Sequence, residues 1–139
     1  MNLKFKVLNG GKLPTRAHRE DAGFDLYSPI DLFTLAHTQS RIIRLKVCVE
    51  IPKGYVGFIM GRSSLHKKGI ICLTSVIDSG YTGEIAVVLN AVDDYLKIKK
   101  GDRIAQLVIA KLADIDDAVA VDSLEDSERG AGGFGSTGA

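Results

Sequence analysis

Arg41-Ile42-Ile43-Arg44-Leu45-Lys46-Val47-Cys48-Val49-Glu50-Ile51 is the stretch that decides the fold class. Ile43, Leu45, Val47, Val49 and Ile51 alternate with Arg44, Lys46, Cys48 and Glu50, the period of two that buries one face of a β-strand and leaves the other in water. Leu3, Phe5 and Val7 alternate with Lys4 and Lys6 in the same way. Short apolar runs rich in β-branched residues at 55–60, 70–73, 85–92 and 104–112 read as further strands. Turn-forming clusters separate them: Asn9-Gly10-Gly11, Ser28-Pro29, Pro52-Lys53-Gly54, Asp78-Ser79-Gly80, Asp93-Asp94 and Lys99-Lys100-Gly101-Asp102. No window of about 11 residues or more holds a 3.6-residue period, so there are no helices to cover a parallel sheet. The pattern predicts an all-β fold, a jelly-roll-like barrel or sandwich.

With 139 residues the chain is long enough for one ordinary domain and too short for a separate lid or cofactor domain. Its 45% hydrophobic and 25% charged residues exclude disordered and fibrous classes. No apolar run approaches the roughly 20 residues that span a bilayer, and Met1-Asn2-Leu3-Lys4-Phe5-Lys6 has no signal-peptide core, which predicts a soluble cytoplasmic protein, or a host-intracellular one if the source is a virus or phage. Cys48 and Cys72 lie inside apolar stretches without zinc-finger spacing and read as buried free thiols.

The formal net charge of +1 hides a segregation. Residues 114–128 carry seven acids (Asp114, Asp116, Asp117, Asp122, Glu125, Asp126, Glu128) and no Lys or Arg, which leaves 18 basic against 10 acidic residues elsewhere. The acidic stretch reads as a solvated strand and linker leading into the tail. Residues 61–69 hold Arg62, Lys67 and Lys68 without an acid, a local anion site or a solvated basic loop. The tail, Arg129-Gly130-Ala131-Gly132-Gly133-Phe134-Gly135-Ser136-Thr137-Gly138-Ala139, cannot build a core with its five glycines. A passive linker needs neither Arg129 nor Phe134. A mobile arm can use its backbone amides and the Ser136 and Thr137 hydroxyls to wrap an anion, with Arg129 as clamp and Phe134 as stacking plate.

Three further segments carry candidate chemistry. In Gly61-Arg62-Ser63-Ser64, glycine permits a tight turn and the side chains supply donors to phosphoryl oxygens. Both a Walker A loop and a strand–glycine–helix dinucleotide fingerprint are missing. In Ser75-Val76-Ile77-Asp78-Ser79-Gly80-Tyr81-Thr82-Gly83-Glu84-Ile85, Asp78 stands at a turn between two apolar strands. It can bond its own turn amides as a hairpin residue, or orient a water for attack on phosphorus while the backbone of Val76 and Ile77 reads a base edge. In Asp21-Ala22-Gly23-Phe24-Asp25-Leu26, Asp25 can serve Mg²⁺ through water or fix a turn.

These segments, with Gly101-Asp102-Arg103-Ile104-Ala105-Gln106-Leu107 and the tail, resemble in order and spacing the five motifs of the homotrimeric dUTPases. The resemblance implies a jelly-roll domain over residues 1–128 and an arm over 129–139 that closes an active site shared between subunits of a homotrimer. It implies a Mg²⁺-dependent hydrolysis of dUTP to dUMP and pyrophosphate, which keeps uracil out of DNA and supplies dUMP for dTMP synthesis. Carried over, Asp78 orients the water attacking the α-phosphorus, and Tyr81 underlies the deoxyribose. Val76 and Ile77 face the base; Arg62, Ser63, Ser64 and Gln106 hold the phosphate chain. Phe134 stacks on uracil, Arg129, Gly135, Ser136 and Thr137 grip the terminal phosphates, and Asp25 lies near Mg²⁺ as an outer-shell or structural partner. Neither nucleic acid nor membrane is an implied partner. Ser75 stands where many members carry Gly.

Two alternatives stand beside this reading. A dCTP deaminase shares the Arg-Ser-Ser and Ile-Asp signatures, but its chemistry needs a Glu where Val88 stands in Ile85-Ala86-Val87-Val88-Leu89. A nucleotide-gated protein-binding module would bind dUTP without turnover.

Overall fold

The computed structural model describes residues 1–92 and 96–138, so the turn expected at Asp93-Asp94 lies outside the described residues. Ten strands and one helical turn follow in order: β1 (Lys4–Val7), β2 (Gly23–Tyr27), β3 (Leu32–Leu35), β4 (Ser40–Glu50), β5 (Tyr55–Met60), α1 (Ser63–His66), β6 (Ile70–Cys72), β7 (Ser75–Ile77), β8 (Glu84–Ala91), β9 (Leu96–Lys99) and β10 (Arg103–Lys111). One sheet runs β1-β4-β8-β6, a second β2-β10-β5-β7, and β3 pairs with β9. All the strand pairs are antiparallel, as a chain without crossover helices requires.

The alternation in β4 does what its period dictates. Ile43, Leu45, Val47, Val49 and Ile51 are all 2% exposed or less. Most of these residues join Ile85, Val87 and Leu89 of β8, Leu26 of β2, Ile59 of β5, Leu107 of β10 and the Phe33, Leu35 and Ile98 side chains of the small sheet in one apolar cluster between the sheets, the core of a β-sandwich. Leu89 is fully enclosed within it. Leu89→Ala therefore removes buried methyl groups and leaves a cavity; urea unfolding should read a loss of about 2–5 kcal/mol.

Several sequence expectations are corrected. The long strand is interrupted by a register shift between Arg44 and Cys48, where Lys46 adopts φ 59°. Its carbonyl accepts from the Leu8 amide at 2.8 Å and its own amide donates to the Glu84 carboxylate at 2.8 Å. Gly11 packs against that carbonyl so closely that any Cβ would collide with it. Residues 61–69 are not an open loop: Ser63–His66 form a helical turn, with the Arg62 carbonyl accepting from Leu65 and His66. The strands flanking Asp78 do not form a hairpin, since β7 pairs with β5 while β8 lies between β4 and β6, so the chain crosses between sheets at this turn. Strands β3 and β9 carry too few residues for a periodic signal. Residues 114–128 form no strand, for their backbone meets no sheet edge within the chain. Cys72 is buried, and desolvation pushes its thiol up to about 11, so it stays protonated at neutral pH; Cys48 is only half-buried. No helix of the described residues is long and apolar enough to cross a membrane.

Candidate functional site

A cavity of about 380 Å³ opens on the outer face of the second sheet, lined by residues of three separate segments, among them Asp25, Arg62, Ser63, Ser64, Arg103 and Gln106. The register assembles it. Gln106 in the middle of β10 stands opposite Asp25 of β2 on one side and Met60 of β5 on the other. Its amide nitrogen donates to the Gly61 carbonyl at 2.8 Å, which ties the start of the Arg62 segment to the sheet. Gly23 lies on the same face, and a Cβ there would strike the Gln106 side chain, so glycine is what lets Gln106 reach across.

Asp25 is the electrostatic centre of the cleft. Its carboxylate receives Arg62 Nε at 2.9 Å and Arg103 Nη1 at 3.5 Å. The Asp25 and Arg62 side chains are only 18% and 20% exposed, whereas Arg103 is 52% exposed. Arg62 Nη1 also donates to Ser64 Oγ at 3.3 Å and to the Arg103 carbonyl at 3.4 Å. The guanidinium is thus oriented by three acceptors beside two serine hydroxyls, a rigid donor array suited to phosphoryl oxygens.

Both Asp25 oxygens face arginines, Oδ1 toward Arg62 and Oδ2 toward Arg103. Among the described residues no three His, Cys, Asp or Glu side chains come together as a metal centre. The arrangement shows Asp25 as a partner of arginines, the structural limb of its expected role.

Asp78 lies elsewhere, exposed beyond the end of β7. Its carbonyl accepts from the Tyr81 amide at 3.0 Å, but among the described residues no amide donates to its carboxylate, so it is not a turn-bonding Asp. The Tyr81 hydroxyl donates to the Glu84 carbonyl at 2.9 Å and the ring lies over Gly83, where a Cβ would clash. Val76 is exposed on β7 and Ile77 is buried, so the edge strand offers backbone rather than the Ile77 side chain.

The tail is a third, separate part. After the Leu112 amide donates to Gly54, no hydrogen bond among the described residues ties 113–138 to the body. Arg129 Nε donates to its own Gly132 carbonyl at 2.8 Å; the Ser136 and Gly138 amides close turns onto Gly133 and Gly135; Phe134 is wholly exposed. Ser136 and Thr137 line a shallow hollow with Arg129 within the tail itself. So one chain brings together Arg62, Ser63, Ser64, Gln106 and Asp25, and leaves Asp78 with Tyr81, and Arg129 with Phe134, Gly135, Ser136 and Thr137, as two further groups. Among the cleft residues to which sequence reading attached no role are Asp21, which lines the wall, and Arg103, which pairs with Asp25. Ile104 and Ala105 are both buried at a register shift in β10, which brings Arg103 and Gln106 to one face although their spacing is odd.

The profile of the dUTPase family matches residues 9–138. The chain is 42% identical over 130 residues to the deoxyuridine 5'-triphosphate nucleotidohydrolase of Candida glabrata, covering 92% of this chain and 90% of that one. It is 38% identical to the protein of that name from Clostridioides difficile, covering 99% and 98%. Among solved structures, a variant of the Staphylococcus bacteriophage 80alpha dUTPase with dUpNHpp superposes with a TM-score of 0.92 at 30% identity, covering 99% of both chains. A variant dUTPase from phage phi11 of S. aureus, described for its coordination of a structural Mg(II) ion, superposes with a TM-score of 0.81 at 26% identity, covering 91% of this chain and 100% of that one.

Proposed function

The chain belongs to the dUTPase family, and from that premise we propose that it hydrolyses dUTP to dUMP and pyrophosphate by attack of water on the α-phosphorus. The observation that carries the reading is the cleft itself: three family motifs, distant in sequence, meet around an Arg62 guanidinium already oriented for an anion. Arg62, Ser63, Ser64 and Gln106 hold the phosphate chain. Asp78, whose carboxylate has no hydrogen-bond partner among the described residues, orients the attacking water and accepts its proton. Tyr81 underlies the sugar, where a 2′-hydroxyl would meet the ring. The backbone at Val76 and Ile77 distinguishes the uracil O4 acceptor from the cytosine amino donor, a mismatch that leaves buried polar groups unpaired and discriminates by up to about 10⁴-fold. Phosphoryl-type transfer depends chiefly on position and charge, which such an array supplies. Mg²⁺ takes few protein carboxylates, and Asp25 would hold it through water beside the triphosphate, where the ion would offset phosphate charge.

The site is shared between three copies of the chain. The separation of its three parts supports this, as does an outer face of the first sheet where Ile42 is 68% exposed, Ile71 41% and the Asn90 side-chain oxygen Oδ1 is buried without a partner among the described residues. The arm at 129–139 then closes over a neighbouring cleft, with Phe134 on the base and Arg129, Gly135, Ser136 and Thr137 at the terminal phosphates. A deaminase is disfavoured: Val88 pairs with Ile42 on that sheet, and the one carboxylate of β8, Glu84, holds the Lys46 amide.

A pyrophosphate-release assay with Mg²⁺, comparing dUTP, dCTP, dTTP and UTP, tests the reading. Turnover of dUTP alone with dUMP as product is the expected result. Ammonia from dCTP, or tight dUTP binding without products, would replace it with the deaminase or the gated binding module.

A further inference from the structure

An anion-binding cleft that already contains a carboxylate poses a question of charge. Asp25 does not touch the cleft wall passively: it holds two guanidiniums, and its side chain is more enclosed than that of either arginine. A neutral amide could accept a hydrogen bond from Arg62 as well; only a carboxylate also offsets the charge of the pair. The backbone places it firmly, since the Asp25 amide donates to the Thr15 carbonyl at 2.7 Å and Asp25 stands opposite Gln106 in the sheet. Beyond Arg103 the cleft adjoins a second hollow of about 570 Å³ that also includes Lys68 and Lys97 with one acid, Asp102. The Asp102 carboxylate is engaged by the Lys99 amide at 2.9 Å. Asp21 also lines the cleft, but its carboxylate is engaged by the His18 amide at 2.8 Å. Among the described residues Asp25 is the acid of the cleft that is ion-paired with the arginines, so without it the cations facing the phosphate chain would lose their direct counter-charge.

We propose that Asp25 is a positioning residue that acts as an internal anion: it orients Arg62 and Arg103 for the triphosphate and offsets their charge so that pyrophosphate is released. The proposal rests on the hydrolase reading for the identity of the product, but its binding test does not. A site that bound product and transition state equally tightly would gain nothing in turnover. A fixed carboxylate weakens the grip on any polyanion, while the oriented guanidinium keeps the contacts that matter when charge builds on the transferring group.

The test measures pyrophosphate binding by calorimetry on the intact protein, without turnover. Asp25→Asn keeps shape and removes charge; it should bind pyrophosphate at least about fivefold more tightly and show stronger product inhibition with a lower kcat. Asp25→Glu keeps the charge and shifts its position; its pyrophosphate affinity should stay within about twofold of the parent while kcat falls. Unchanged or weaker pyrophosphate binding in Asp25→Asn, or equal tightening in Asp25→Glu, would overturn the proposal, because a residue needed only for packing would weaken every ligand together. Should Asp25→Asn fail to fold, the half-exposed Arg103→Gln decides: pyrophosphate should bind at least about fivefold more weakly, and an unchanged affinity counts against the internal anion. If dUTP is not turned over while these binding shifts appear, the hydrolase reading fails and the internal anion stands.

Discussion

Asp78→Asn should bind dUTP within about tenfold of the parent affinity and lose turnover by about 10²–10⁴-fold, the range a positioned general base contributes. The separation of the two effects follows from the surroundings of the side chain. Its carboxylate is exposed and receives no hydrogen bond among the described residues, so the amide costs the fold little. The phosphate grip lies in Arg62, Ser63, Ser64 and Gln106 and is untouched. What the amide lacks is the capacity to take a proton from water. Calorimetry with dUTP beside single-turnover kinetics reads both quantities; retained turnover would remove Asp78 from the water-orienting role, and lost binding would make it a ligand residue.

Removal of residues 129–139 should leave the melting temperature within about 2 °C, since the loss of exposed residues without body contacts stays within about 0.5 kcal/mol. The same truncation should slow dUTP turnover by about 10²-fold or more. Stacking of Phe134 on a base is worth about 1–3 kcal/mol, and Arg129 adds a charge-assisted contact to the phosphates. Among the described residues, Arg129 bonds only within the tail and Phe134 is wholly exposed. Phe134→Ala alone should reproduce part of the loss, with a larger effect on KM than on kcat. A truncated protein at full rate would sink the arm. Sedimentation belongs with this experiment, because a stable, fully active monomer would contradict sharing of the site.

The outer hydrogen-bonding groups and the inner core were legible to different degrees in the chain. The alternation of residues 43–51 and the apolar runs at 55–60, 85–92 and 104–112 are local consequences of which side chains water rejects, and a period of two is readable without knowing the partner strand. Part of the motif was legible for a related reason: arginine and serines between apolar strands have no core to join, and a tail of glycines with one Arg and one Phe has no packing purpose, whereas Gln106, inside an apolar strand, was reached only through the family resemblance.

Pairing across distance was not legible. That β7 and β8 part to separate sheets and that Lys46 takes a left-handed backbone beside Gly11 both follow from contacts with residues far along the chain, while α1, a single turn, is too short to leave a period. Arg103 shows the point most clearly. Strict alternation sends it to the face opposite Gln106, and only the register shift that buries both Ile104 and Ala105 turns it into the cleft. Asp25 is the companion case. Its residue type suits several partners, and the arginines it meets were set by which elements the sheet brought together: the chain alone specified its strands, its candidate phosphate ligands and its family signature, while the neighbours of each charge were decided by tertiary pairing, because charge interactions act through space and leave no period in the sequence.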